Sequence, residues 1–127
     1  MCGRYSRNNT AADLLKQFKA EMNGDAESIR PRFNVSPSQM VPTIRNNEKG
    51  KRELMEMKWG LIPVWAKEKN VAFKYKTINA CGETVDTTAM YKSAFKSRRC
   101  LIPMTGFFEW KKLTEKLKQP YYIGRAL

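Results

Sequence analysis

Apolar and charged residues alternate from Arg52 to Trp59, with Leu54, Met55, Met57 and Trp59 set against Glu53, Glu56 and Lys58. That alternation, with its two-residue period, predicts a strand. Met40 to Arg45 reads as the strand before it, and Asn46-Asn47-Glu48-Lys49-Gly50 as the turn, so the pair forms a hairpin. A helical period shows at Leu14, Leu15 and Phe18. With Thr10 as N-cap and Asn23-Gly24 as terminator, it predicts a helix from Ala11 to about Met22. Gly3 to Arg7 reads as a short opening strand. Arg30 to Ser38, with two prolines, reads as an extended loop, and Gly60 to Lys69, around Pro63, as a loop or single turn. Phe73 to Ile78 is expected as a short strand. Glu83 to Lys96 is weakly periodic and predicts one helix or two short ones, with Val85, Met90 and Phe95 inward. Cys100 to Met104 and Phe107 to Lys112 are strand-like around Thr105-Gly106. Lys111 to Lys118 reads as a charged hairpin tip. Tyr121 to Ile123 starts a last strand, whose partner is an earlier strand or is missing. Five to seven short strands with one or two helices make a β-rich α+β fold.

Composition bounds what such a fold can do. The 127 residues suit a single domain spanning 1–127, and 42% hydrophobic residues are enough for a core. Lys and Arg number 24 against 12 Asp and Glu, and the net charge of +12 predicts attraction to polyanions. The absence of His removes every mechanism that needs an imidazole base or ligand. The three cysteines, Cys2, Cys81 and Cys100, are odd in number and form no C-x-x-C pair. They support neither a disulfide scaffold nor a four-cysteine metal site, and fit a reducing compartment. No cofactor is implied. The polar start, Met1 to Arg7, lacks the apolar region of a signal peptide, and the longest apolar run, Leu61 to Ala66, is too short for a bilayer. The expectation is a soluble cytoplasmic protein with no membrane partner.

Four features could carry chemistry. Removal of Met1 would leave Cys2 with an α-amine (pKa about 7.7–8.0) and a thiol (about 8.5) on adjacent carbons. Such an aminothiol condenses with an aldehyde, the amine giving an imine and the thiol closing a five-membered thiazolidine. Alternatively, the amine could serve as base for its own thiol in acyl transfer. The plain alternative keeps Met1 and makes Cys2 an ordinary residue. Glu109, in Gly106-Phe107-Phe108-Glu109-Trp110, lies among aromatics. A carboxyl there should have a raised pKa and could move a proton, or it could be a strand-edge Glu paired with lysine. Asn79 offers an amide that holds an oxygen and a hydrogen in fixed geometry, or it is a turn or cap residue. Finally, Arg4, Tyr5, Arg7, Trp65, Lys67, Lys69, Phe73, Lys74, Tyr75 and Lys76 interleave positive charge with flat rings. Single-stranded nucleic acid is bound by charge along phosphates and rings under bases, while a solvated surface around core aromatics gives the same composition.

Five segments occur in a specific order: Met1-Cys2-Gly3-Arg4-Tyr5; Phe33-Asn34-Val35-Ser36-Pro37; Trp59-Gly60-Leu61-Ile62-Pro63-Val64-Trp65; Ile78-Asn79-Ala80 with Glu83-Thr84; and Arg99-Cys100-Leu101-Ile102-Pro103 with Gly106-Phe107-Phe108-Glu109-Trp110. From Met1 to about Ile123 the chain resembles the SOS response-associated peptidase (SRAP) family, which protects abasic sites in single-stranded DNA. The resemblance implies loss of Met1, by autoprocessing or by an ordinary aminopeptidase, and a thiazolidine between Cys2 and the ring-opened aldehyde of an abasic site. It implies that Asn79 holds the opened sugar or the cysteine backbone, and that Glu109 shuttles protons during ring opening and imine formation. Arg4, Pro37 and Trp65 match positions along the DNA path. The implied fold is an open or barrel-like antiparallel sheet with one or two short helices, incomplete at the C-terminus. The implied location is cytoplasmic, at the nucleoid during DNA damage.

Two features depart from the family. Cys81 stands where the family carries an arginine expected to contact phosphate. The family domain is also longer, and its second half supplies a histidine that this chain lacks. The resemblance therefore implies an N-terminal portion that self-associates or pairs with a C-terminal segment. The sequence also fits two other readings: a non-catalytic basic module that binds nucleic acid or assembles with another half, and an N-terminal-cysteine peptidase acting only on itself.

Overall fold

The structure, a computed structural model, describes residues 3–68 and 74–124. Its first helix starts as its sequence dictates. Thr10 accepts a hydrogen bond from the Asp13 N–H, and the Asp13 carboxylate accepts one from the Thr10 N–H at 2.7 Å. That reciprocal cap opens α1, Ala11–Phe18, which buries Ala11 and Leu14. The helix ends at Phe18 rather than near Met22. Lys19 takes a left-handed conformation (φ 49°), and its N–H caps the Leu15 and Lys16 carbonyls. The early stop frees Glu21–Met22 to form a short strand parallel to Glu53 and Leu54.

The strands are β1 (Arg4–Arg7), β2 (Glu21–Met22), β3 (Arg32–Val35), β4 (Met40–Asn46), β5 (Arg52–Lys58), β6 (Gly106–Lys112) and β7 (Lys118–Gly124). A 3-10 turn, Ala26–Ser28, precedes β3, and a short helix, α2 (Lys92–Ser97), precedes β6. One sheet runs β3-β1-β6-β7 and the other β2-β5-β4. Among the described residues neither closes, and the fold is β-rich α+β with open sheets. The expected hairpin is present as β4 and β5, in register from Met40↔Lys58 to Asn46↔Arg52.

Several elements differ from their sequence expectation. The loop expected over Arg30 to Ser38 contains β3, antiparallel to β1 through Tyr5↔Val35. Its two prolines, Pro31 and Pro37, flank the strand instead of interrupting it. Residues 75–78 form turns, not the strand expected from Phe73 to Ile78, and Phe73 itself lies outside the described residues. Lys76 there has φ 52°, which a strand does not allow. Of Glu83 to Lys96 only the end is helical. Thr87 bonds the Thr84 carbonyl through its hydroxyl, and such side-chain bonds compete with the helical ladder. Phe95 points outward, 42% exposed. Cys100 to Met104 contributes only a bridge, Ile44↔Leu101, which ties the run into β6 to the second sheet. The last strand does find an earlier partner, since β7 pairs with β6 along its length.

The core has two parts. Ala11, Leu14, Ile29, Ile44 and Leu54 pack between α1 and the second sheet. Tyr5, Val35 and Val41, with Trp59 and Phe107 against them, join the two sheets. Arg7 is 1% exposed and donates to the Asn9 and Arg30 carbonyls, the latter at 2.6 Å. Burial pushes its pKa down from the ordinary arginine value. Among the described residues, no helix is long and apolar enough to cross a membrane.

Candidate functional site

The aromatic contact between Tyr5 and Trp59 organises the candidate residues. Tyr5 is central in β1, and its ring lies 5.5 Å from that of Trp59, the residue just after β5. Arg4 precedes Tyr5 and donates from Nη1 to Asn34 Oδ1 at 2.9 Å. The first and second sequence segments are therefore joined side chain to side chain. Pro37 lies half-buried in the turn between β3 and β4. That turn is fastened to Trp59 through its backbone: Ser38 N–H donates to Trp59 O, and Trp59 N–H to Gln39 O, both at 2.9 Å.

Asn79 belongs to an irregular stretch held by its neighbours. Leu61 N–H donates to Thr77 O at 3.1 Å, and the Thr77 hydroxyl donates to Leu61 O at 2.6 Å. The Trp59 indole donates to Ile78 O at 3.0 Å, and the Tyr91 hydroxyl to Asn79 O at 2.7 Å. Burial raises the Tyr91 phenol above its ordinary pKa of 10.0.

Glu109 sits half-buried on β6, opposite Tyr121. The register sets Arg4 against Phe108 and Tyr5 against Phe107. Glu109 therefore follows the last residue paired with β1, beside that strand's N-terminal end. Because faces alternate, Glu109 shares the face of Phe107 and Tyr5, while Arg4 shares the other face with Phe108. The sheet thus separates the proposed proton carrier from the proposed phosphate contact. Cys2, two residues before β1 in sequence, lies outside the described residues.

Trp65 lies farther along the loop after Trp59, 51% exposed. Its ring meets that of Tyr75 edge-on at 6.0 Å, and Lys74 Nζ lies 5.5 Å from the Tyr75 centroid. This is an exposed ring pair with a cation, as base stacking beside phosphate requires. The basic and aromatic set is smaller than composition suggested. Tyr5 and Arg7 are buried in the core and cannot meet a ligand there, and Lys69 and Phe73 lie outside the described residues. Cys81 is an exposed free thiol that donates to Glu83 Oε2 at 2.8 Å. That bond, then the Glu83 backbone, holds the Glu83 carboxyl below its ordinary pKa.

Sequence reasoning missed the organising roles of Trp59 and Tyr91. The strand pattern ran to Trp59, one residue past the end of β5 at Lys58, and gave no sign that its indole reaches Ile78. Tyr91 lies within the weakly periodic stretch, where no pattern distinguishes it.

Residues 1–126 match the family described as SOS response-associated peptidase (SRAP). The chain is 38% identical over 123 residues to the abasic site processing protein YoqW of Bacillus subtilis, covering 97% of this chain and 54% of that protein. It is 36% identical over 143 residues to the abasic site processing protein HMCES of Xenopus tropicalis, covering 97% and 42%. It is 33% identical over 130 residues to YedK of Escherichia coli, also named an abasic site processing protein, covering 99% and 54%. A solved protein from Bacteroides thetaiotaomicron shares the fold with a TM-score of 0.82 at 23% identity, covering 95% of this chain and 53% of that one. The chain thus spans about half the length of the curated bacterial relatives it matches.

Proposed function

The chain belongs to the SOS response-associated peptidase family, and from that premise we propose that it captures abasic sites in single-stranded DNA through Cys2. Loss of Met1 gives an N-terminal cysteine. Its amine adds to the ring-opened aldehyde, and water leaves to form an imine. The thiol then adds to the imine carbon while its proton passes to nitrogen, which closes a thiazolidine. Glu109 moves the protons of ring opening and imine formation, work worth about 10²–10⁴ in rate. Asn79 holds the opened sugar or the cysteine backbone. Arg4, Pro37 and Trp65 carry the strand, with phosphate on the cation and bases on the rings. Residues 1–127 act as one domain.

One observation carries this reading. The segments bearing Arg4, Pro37 and Asn79 are all tied to the Tyr5–Trp59 contact, and Glu109 lies on the strand paired with Tyr5. Residues far apart in sequence converge around the strand that the N-terminal cysteine precedes. The test is intact mass after mixing with an abasic oligonucleotide. A denaturant-resistant adduct of protein plus oligonucleotide less one water is expected. Cys2→Ala abolishes it, and Cys2→Ser leaves at most a labile imine. Equal crosslinking by Cys2→Ala would overturn the assignment. The net charge of +12 favours one other reading, a non-catalytic basic module for nucleic acid. An intact mass that retains Met1 would support it.

A further inference from the structure

Asn79 sits where no strand or helix fixes the backbone: residues 75–78 are turns, and 79 and 80 have no regular structure. Yet the two carbonyls that bracket its Cα are both held by side chains. The Ile78 carbonyl belongs to the peptide plane before Asn79 and accepts from the Trp59 indole at 3.0 Å. The Asn79 carbonyl belongs to the plane after it and accepts from the Tyr91 hydroxyl at 2.7 Å. Peptide units are rigid, so holding the plane on each side of a Cα fixes its two free rotations and the direction of its Cα–Cβ bond. The donors come from different places, Trp59 from just after β5 and Tyr91 from the turn before α2. Trp59 also packs on Tyr5, so one jaw of the clamp is seated on β1.

We propose that Trp59 and Tyr91 are positioning residues that hold both peptide planes around Asn79 and so aim its amide at the opened sugar. This rests on the reading that Asn79 acts on an abasic site. Neither aromatic needs to touch DNA for the role. An amide that acts by geometry loses its value when its backbone turns, and an ångström of misplacement can cost roughly 10² in rate.

The primary variant is Tyr91→Phe, which removes one hydroxyl and keeps the ring. Trp59→Phe is the second, since it also disturbs the packing on Tyr5. The Asn79 side-chain NH2 resonances, identified by their loss in Asn79→Ala, should shift or broaden in Tyr91→Phe. Adduct formation with an abasic oligonucleotide should slow by about 10-fold while affinity for the intact strand stays unchanged. In an Asn79→Ala background, Tyr91→Phe should cost nothing further, because the group it aims is gone. Unmoved Asn79 resonances in Tyr91→Phe would overturn the proposal, as would an equal rate loss in the Asn79→Ala background. If the wild-type protein forms no adduct, the proposed function fails. The Asn79 resonances in the two aromatic variants then decide the clamp by themselves.

Discussion

Replacing Gly106 with alanine tests how β1, β6 and β7 are locked together. Tyr122 folds across Gly106, and its hydroxyl meets Ser6 Oγ at 2.8 Å while its ring lies 5.2 Å from Phe108. A Cβ on Gly106 would collide with the Tyr122 hydroxyl, and would sit 2.5 Å from its Cζ and 2.7 Å from the Ile123 carbonyl oxygen. The ring must leave. Its hydrogen bond to Ser6 is worth about 1 kcal/mol, and its contact with Phe108 about 0.5–1.5 kcal/mol. The Ile123 carbonyl is backbone and cannot swing aside, so separating β6 from β7 adds about 1 kcal/mol. Alanine recovers about 0.5–1 kcal/mol of chain entropy. The net loss is about 2 kcal/mol, which lowers a urea midpoint by about 1 M. Tyr122→Phe, losing only the hydroxyl, should cost about half as much. Urea titration followed by far-UV circular dichroism measures both. A Gly106→Ala midpoint equal to the wild type, or no lower than that of Tyr122→Phe, would refute the steric argument.

Three further outcomes are expected. Glu109→Gln keeps shape and hydrogen bonding but cannot carry a proton, so adduct formation should slow by about 10²–10⁴ with strand binding intact; an unchanged single-turnover rate would make Glu109 structural. Affinity for single-stranded DNA should fall with salt with a log–log slope of roughly −3.5, from about five phosphates at −0.7 each; a flat response in a filter-binding salt series would exclude an electrostatic groove. Stability should fall on acidification. Arg45 Nε at 2.6 Å, then Asn23, hold Glu53 below its ordinary 4.5, and the Thr10 N–H, then its hydroxyl, hold Asp13 below 3.8. A lowered folded-state pKa gives stability that is present above the unfolded value and lost as pH falls through the folded one. The urea midpoint should therefore drop as pH falls below about 4.5, and Glu53→Gln should shrink that drop. An identical drop in the variant would remove Glu53 from the explanation.

The α1 start, the β4–β5 hairpin and the strand character of Phe107 to Lys112 were legible because each depends on neighbours in sequence. Thr10 and Asp13 cap each other three residues apart, and the Asn46–Gly50 turn sets the hairpin register. Pairings of distant segments were not legible. Arg32–Val35 has no period that marks it as a strand, and it becomes one because β1 offers it an edge. Glu21–Met22 likewise joins β5 only once α1 has stopped at Lys19.

The candidate site divides in the same way. Sequence alone determined its residue types and their order: Cys2, Arg4, Pro37, Trp65, Asn79 and Glu109 stand in motifs that can be read without coordinates. Tertiary structure decided which of them meet and from which side. It tied Arg4 to Asn34, moved Tyr5 and Arg7 from the expected binding surface into the core, and set Arg4 and Glu109 on opposite faces of one sheet. It also brought Trp59 and Tyr91 onto the two carbonyls around Asn79. Local patterning fixes what a segment is from contacts a few residues away. The facing of side chains across a sheet depends on register between strands as far apart as β1 and β6, and only the assembled core selects that register.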